Sequence, residues 1–294
     1  MDNLLNLNTS RVGIVSVCYN SMAVLPDMLA SVPKNIPVVL VSNANENNDS
    51  PLAELAKLHQ ATLIVNKSNI GFGSACNQGA NILKTELLLF LNPDTILKPN
   101  AIDAMLAAVD AFPNAVAFNP RIVSSSGTPF FKRKSHLLPR SMKMKRGWPK
   151  ADCEVSILSG AAMLVKTSIF EKAGGFDPAI FLYHEDDDLS VRLSKQFGKL
   201  YFVRDASVMH LQGRSSDRSP EVAALKAWHM GRSHVYVNKK HSRPMPFMRP
   251  FLLALIKLFS LQILFSRRKW AKQRAYLNGV ISARCFLDTE QKYE

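Results

Sequence analysis

Apolar and polar positions alternate along the first half of the chain in blocks that read as strand, turn and helix. Val12 to Cys18 is a short β-rich run that stops at Tyr19-Asn20-Ser21, residues suited to a turn. A helical stretch over Leu25 to Ser31 leads to a second run, Pro37 to Val41, and Pro51 to His59 repeats the helical pattern. Ala61 to Val65 reads as a third strand, Gly73 to Leu83 as a helix, and Leu87 to Leu91 as a strand running into Asn92-Pro93-Asp94. A helix over Asn100 to Ala111 and a strand over Val116 to Phe118 follow. Strands this apolar are buried on both faces, so the expected fold is α/β, a mainly parallel Rossmann-like sheet flanked by helices. Ligands of such sheets gather at the carboxyl ends of the strands, which makes the turns after Cys18, Val41 and Leu91 the expected site.

Beyond residue 120 the pattern changes. Arg121 to Lys150 holds nine basic residues and no acid, is broken by prolines and has no clear period, and is expected to be a mobile loop. Order resumes at Val155 to Gly160, Ala161 to Val165 and a helix near Ser168 to Ala173. Ile180 to His184 then delivers four successive acids, Glu185-Asp186-Asp187-Asp188, to the start of a helix over Leu189 to Phe197. Leu200 to Val203 and Ala206 to Met209 look strand-like.

Composition narrows the class. The 294 residues are 47% hydrophobic and 20% charged, which suits a globular protein and excludes a disordered or collagen-like chain. Cys18, Cys76, Cys153 and Cys285 lie far apart, with no CxxC pair, so a reducing cytoplasm is expected. No basic, then apolar, leader opens the sequence. The net charge of +14 is concentrated in residues 121–150 and 201–294, which points to an anionic partner: a nucleic acid, a phospholipid surface or a diphosphate.

Four acids on one helical turn are by default a solvated N-terminal cap, but their delivery to the sheet edge makes a catalytic base an even alternative, with Asp186 and either Glu185 or Asp188 facing inward. Asp94, at the end of a buried strand, suits a hard divalent ion, with a plain turn as the competing reading. His210 is a candidate further ligand. The glycines at 71, 73 and 79 miss the GxGxxG spacing, which disfavours a dinucleotide enzyme, but they permit close backbone approach beside Asn69 and Asn77. P-loop and GxSxG motifs are absent.

Five ordered pieces together resemble the family 2 glycosyltransferases of the GT-A fold, particularly their rhamnosyltransferase-like branch, over about residues 11 to 240. They are Val15 to Asn20, Asn69 to Gly79, Phe90 to Thr95, Ser159 to Val165 and Phe181 to Leu189. The resemblance implies an inverting transferase that moves a sugar, such as rhamnose from dTDP-rhamnose, onto a lipid-linked or growing surface polysaccharide. It further implies that Asp186 is the base, flanked by Glu185 and Asp188, and that Asp94 and His210 hold Mg or Mn. Cys18, Tyr19, Asn20, Ser42, Asn43, Asn69, Gly71, Asn77, Asn92 and Asp94 would line the donor site. Ser42 and Asn92 stand where relatives usually carry Asp. A UDP-hexose transferase, a basic nucleic-acid-binding protein and an inactive scaffold remain the alternatives, and no nucleic acid is expected as partner.

The catalytic domain is expected over 1–215 and a basic helical region over 216–294. In the latter, 250–270 is a candidate helix lying on the inner membrane surface, with packing on the catalytic domain or a subunit contact as the equal alternative, and the family resemblance favours the membrane. Its apolar run, Pro250 to Ser266, carries a single charge, Lys257, and is followed by Arg267-Arg268-Lys269-Trp270.

Overall fold

The computed structural model describes residues 10–44, 50–211, 219–259 and 266–288. Four parallel strands form one half of the sheet: β1 (Val12–Cys18), β2 (Val38–Ser42), β3 (Thr62–Val65) and β4 (Leu87–Leu91). The other half is mixed. It contains β5 (Thr95–Leu97), β6 (Ala115–Ser124), β7 (Cys153–Val155), β8 (Ala162–Lys166) and β9 (Lys199–His210). The order is β3-β2-β1-β4-β8-β6-β9-β5, with β7 also paired to β9. Strand β8 runs antiparallel to both β4 and β6, whereas β6 and β9 are parallel.

Alternate residues of each strand feed two cores, as a pleated strand requires. Ile14, Leu40 and Leu89 pack beneath α1 (Leu25–Ala30), α2 (Pro51–Leu58) and α4 (Ala101–Ala111). Val15, Val39, Leu88 and Phe90 face α3 (Phe72–Ile82), α5 (Thr167–Lys172) and α6 (Glu185–Gln196). Phe90 is wholly buried between Phe170 and Phe176, at ring-centre distances of 4.9 and 5.0 Å. Burial of one such ring contributes roughly 1.5–3 kcal/mol.

Strand register aligns the functional edge. Cys18 pairs with Ser42, and Ser42 with Val65, so the turns after β1, β2 and β3 emerge side by side. Asn43 N donates to Cys18 O at 2.9 Å, and Asn66 N to Ser42 O at 2.9 Å. The switch of strand order lies between β1 and β4, where open α/β sheets place their ligands.

Four expectations need correction. Strand β6 extends to Ser124, with a register shift at Pro120/Arg121, rather than ending at Phe118. The two short strand-like pieces at 200–203 and 206–209 are one strand, β9. Segment 121–150 is docked rather than loose: Phe131 packs on Phe202 at 5.4 Å, Leu137 is buried, and Trp148 Nε1 donates to Ile122 O at 3.1 Å. Its anchors are isolated aromatic and aliphatic residues without period, which a pattern search passes over.

The fourth concerns 250–270, of which residues 260–265 lie outside the described residues and the described remainder falls in two helices. Helix α8 (Met248–Leu258) ends at Phe259, and α9 (Arg267–Ser282) starts anew at its cap Ser266. Both pack with α7 (Pro220–Lys240) around Ala227, Val235, Phe247, Ala254, Tyr276 and Val280; a short α10 (Cys285–Asp288) closes the described chain. Helices α7 and α9 approach closely because each carries a glycine at the crossing: a Cβ on Gly231 would lie 2.3 Å from Tyr276 O, and one on Gly279 2.0 Å from Trp228 O. Among the described residues no helix is long and apolar enough to cross a membrane.

Candidate active site

Asp94 terminates the turn after β4 and is 3% exposed. Thr95 Oγ1 ties that turn by donating to Asn92 O at 2.6 Å, and Asn92 N donates to Ala161 O at 3.0 Å. The antiparallel pairing of β5 with β9 sets Thr95 opposite His210, and Leu211 N donates to Asp94 O at 2.8 Å. This brings His210 Nε2 to 3.2 Å from Asp94 Oδ1. Ligands held about 2.0–2.2 Å from one ion sit roughly 3 Å apart, so carboxylate and imidazole fit a shared divalent cation. The far nitrogen, His210 Nδ1, is buried without a partner, and the Phe130 ring lies edge-on to the imidazole at 5.4 Å. Lys226 of α7 faces the same carboxylate; burial lowers its pKa and the Asp94 charge partly counters this.

Asp186 lies on the first turn of α6. That helix is entered through Tyr183 and His184, both left-handed at φ of 67° and 71°, a conformation that costs bulky residues free energy and re-aims the chain abruptly. Gly160 N donates to Asp186 Oδ2 at 2.9 Å, and Asp187 N donates to Oδ1 at 2.8 Å. Ser190, one turn on, receives a hydrogen bond from Leu158 N at 3.1 Å and donates to Asp186 O at 2.6 Å. Buried Asn119 braces the same segment, donating to Ser159 O at 3.0 Å and accepting from Ser159 N. Residues 159–161 therefore link Asp186 to the turn that carries Asp94, with Gly160 bonded to Asp186 and Ala161 to Asn92.

Lys132 completes the cluster. Its Nζ lies 2.7 Å from Asp186 Oδ2 and 3.1 Å from Asp187 Oδ1. Burial opposes the ammonium, but the two carboxylates outweigh it and raise the pKa. These side chains open into a cavity of about 450 Å³ lined also by Phe130, Ser159, Tyr183 and Met230. Phe130 thus touches both this cavity and His210.

The other acids of α6 do not face that cavity. Asp188 is fully buried and holds Arg192 Nε at 2.9 Å, Lys240 Nζ at 2.8 Å and His241 Nε2 at 2.8 Å. Burial would raise its pKa; His241, Arg192 and Lys240 outweigh this and lower it to about 2. Asp188 is therefore a tie between α6 and α7, not a candidate base. Glu185 turns toward α3, where its Cβ would meet a side chain on Gly73 at 3.8 Å, and its Oε2 is buried with no partner. Burial and then Asp186 push its carboxyl well above the ordinary range, so it stays protonated at neutral pH and is not a neighbouring charge.

The predicted donor residues divide. Tyr19 and Asn20 are exposed on the turn after β1, Asn20 at φ 54°. Cys18 and Ser42 are buried in strand ends and contribute backbone. Asn43 donates to Gly71 O at 3.2 Å and accepts from Asn66 Nδ2 at 2.9 Å, and Asn69 Oδ1 accepts from Gly71 N at 2.9 Å, so these amides shape the loop. Gly71 is left-handed at φ 90°, and a Cβ there would lie 2.6 Å from Phe181 O, so glycine is required. Asn77 departs from its expected role: both ends of its amide are spent on Phe176, accepting from N at 2.9 Å and donating to O at 2.8 Å. Lys132 and Asn119 were not singled out from the sequence. Lys132 is one of nine cations in its segment, and Asn119 sits inside an apolar strand.

The sheet of the described residues matches the GT-A fold, and with the family match below the class is a nucleotide-sugar-dependent glycosyltransferase. The chain belongs to glycosyl transferase family 2, an inverting family, whose pattern matches residues 13–174. It is 28% identical over 267 residues to the N-acetylglucosaminyl-diphospho-decaprenol L-rhamnosyltransferase of Mycobacterium tuberculosis, covering 80% of this chain and 86% of that one. It is also 28% identical to the rhamnosyltransferase WbbL of Escherichia coli, over 66% of this chain and 81% of that one. Among solved structures, the mannosyltransferase PcManGT from Pyrobaculum calidifontis with GDP-Man and Mn2+ superposes with a TM-score of 0.56 at 14% identity, covering 95% of this chain and 88% of that one. GalNAc-T7 with UDP, GalNAc and Mn2+ gives 0.59 at 15% identity, but this chain spans only 58% of that one.

Proposed function

We propose that the protein transfers rhamnose from dTDP-rhamnose, with inversion, to a polyprenyl-diphosphate-linked or growing surface-polysaccharide acceptor at the inner membrane face. The similarity to the decaprenol-linked rhamnosyltransferase over four-fifths of this chain is the observation that carries the donor and acceptor classes. In the reaction an acceptor hydroxyl oxygen bonds to the anomeric carbon, the bond from that carbon to the diphosphate oxygen breaks, and the nucleoside diphosphate departs. Asp186 takes the hydroxyl proton, and its carboxylate also favours positive charge developing on the sugar ring. Asp94 and His210 would hold Mg2+ or Mn2+, which supplies charge neutralisation to the leaving diphosphate. Tyr19 and Asn20, exposed beside Asn43, are suited to contact the nucleoside. Lys226 adds a cation facing Asp94, and Lys132 one facing Asp186.

The membrane assignment draws support from α8, which exposes Leu252, Leu253 and Ile256, with Phe259 just beyond it, near exposed Trp270 and the cations Arg267, Arg268 and Lys269. Apolar side chains flanked by cations suit an anionic lipid surface.

A donor screen tests the proposal. Of dTDP-rhamnose, UDP-glucose, UDP-GlcNAc and GDP-mannose, dTDP-rhamnose should give the largest thermal protection and the fastest metal-dependent hydrolysis. Preference for a UDP-hexose would replace the donor assignment, and salt-sensitive nucleic-acid binding without hydrolysis of any donor would reject the function.

A further inference from the structure

At one wall of the Asp186 cavity, which His184 itself lines, lies a group of histidines that the transfer reaction does not use. His136 comes from segment 121–150, His184 caps α6, and His234 lies on α7. The His136 ring centre is 4.6 Å from that of His184 and 4.2 Å from that of His234. His184 Nδ1 is 3.2 Å from Asp187 Oδ2, one turn along α6. One ligand atom each from His136, His184 and Asp187 lies within 4.8 Å of the other two. His234 Nδ1 is committed to Tyr276 Oη at 2.7 Å.

Hydrogen bonding does not satisfy this group. His136 Nε2 and His184 Nε2 are both buried with no partner, as is Asp187 Oδ1 apart from its ion pair with Lys132. Of these atoms, His136 Nε2 is the one that an ion held between His184 Nδ1 and Asp187 Oδ2 would take up, and a buried imidazole nitrogen left without a partner is costly.

We propose that His136, His184 and Asp187 form a binding site for a borderline divalent ion of the zinc type, separate from the donor-side pair Asp94 and His210. The donor set decides the ion. Two imidazoles and one carboxylate suit Zn2+ or Co2+, whereas Mg2+ prefers oxygen ligands and its own waters. Ligands on a tetrahedral ion at about 2.0–2.2 Å sit roughly 3.3 Å apart, close to the spacing His184 Nδ1 and Asp187 Oδ2 already keep. Imidazoles that share such an ion hold their ring centres roughly 5 Å apart, near the His136–His184 value. His136 then needs only a small movement to become the third ligand, leaving the fourth position to water.

Lys132 faces Asp187 Oδ1 but also keeps Asp186 Oδ2 at 2.7 Å, which leaves Asp187 Oδ2 directed at His184. A bound ion would join segment 121–150 to the turn that carries Asp186.

The test uses the full chain carrying Asp94→Asn, which silences the donor-side ion. This protein should bind one equivalent of Co2+ with the visible bands of four-coordinate cobalt, and Zn2+ should displace the cobalt and raise Tm, while Mg2+ does neither. Adding His136→Ala should weaken Co2+ at least tenfold and abolish the Zn2+ shift. His136→Gln, closer in size, should do the same and guards against a folding defect. No Co2+ uptake by the Asp94→Asn protein, or uptake unaltered by both His136 variants, would overturn the site. Neither outcome bears on the sugar-transfer assignment, which the donor screen tests separately.

Discussion

Lys132 Nζ stands 2.7 Å from Asp186 Oδ2, so the carboxylate proposed as the base is held by a half-buried ammonium as well as by the Gly160 amide. This pairing joins the basic segment after β6 to the first turn of α6. Removing one member of a buried pair leaves the other uncompensated, at a cost of about 3–5 kcal/mol when burial is complete. About a fifth of each side chain is exposed here, so solvent screening reduces the cost. Lys132→Met is expected to lose roughly 2 kcal/mol in urea unfolding, and Lys132→Arg clearly less. Equal stability of Lys132→Met and the parent would show that the pair contributes nothing.

Asp186→Asn removes the proposed proton acceptor while keeping shape and the hydrogen bond from Gly160. A positioned general base contributes about 10²–10⁴-fold, so kcat is expected to fall by that range while the donor dissociation constant changes less than about threefold. Glu185→Gln and Asp188→Asn should retain far more turnover per folded molecule, because neither side chain opens into the cavity. Single-turnover transfer with calorimetric donor binding separates the two effects. Normal kcat in Asp186→Asn would transfer the base role elsewhere.

The sequence pattern made the parallel half of the sheet legible because β1, β2 and β4 are continuous apolar runs, each ending in a polar turn. It also placed Asp94 and Asp186 at strand and helix ends, where chemistry gathers. The residue pattern alone left Asp186 level with Glu185 or Asp188, and only the family resemblance singled it out; the coordinates add their surroundings, with Gly160 on Asp186 and Arg192, Lys240 and His241 on Asp188. Asn77 shows the same limit: its amide fits a sugar as well as the Phe176 backbone it clasps. Lys132 and β9 depend on non-local pairings, which leave no period in the chain.

Asp188 gives the fold a pH dependence of known sign. Its folded pKa, about 2, lies below the ordinary 3.8, so its stabilisation is fully present above about pH 4 and is lost as pH falls through about 2. The shift corresponds to roughly 2 kcal/mol at neutral pH. Asp188→Asn should therefore lower unfolding free energy by at least that amount at pH 7, with the gap to the parent narrowing below about pH 3. Urea titrations of both proteins at pH 7, 4 and 2.5 measure it. A gap that stays constant across these pH values would mean the cost arises from packing rather than charge.

Gly279 and Gly231 set how closely α9 approaches α7. In an open helix, Gly→Ala stabilises by about 1 kcal/mol because alanine loses less backbone freedom on folding. At Gly279 the added methyl would stand 2.0 Å from Trp228 O, a backbone atom that no rotamer change can move. The two helices must separate, opening the small core around Tyr276 and Val280, at an overpacking cost of about 1–3 kcal/mol. The sign of the substitution thus reverses: Gly279→Ala should lower Tm despite its better helix propensity. Amide exchange should quicken in α7 and α9 while β1, β2 and β4 keep their protection, because the sheet has cores of its own. A higher Tm in Gly279→Ala would mean that the two helices do not pack at this distance in solution.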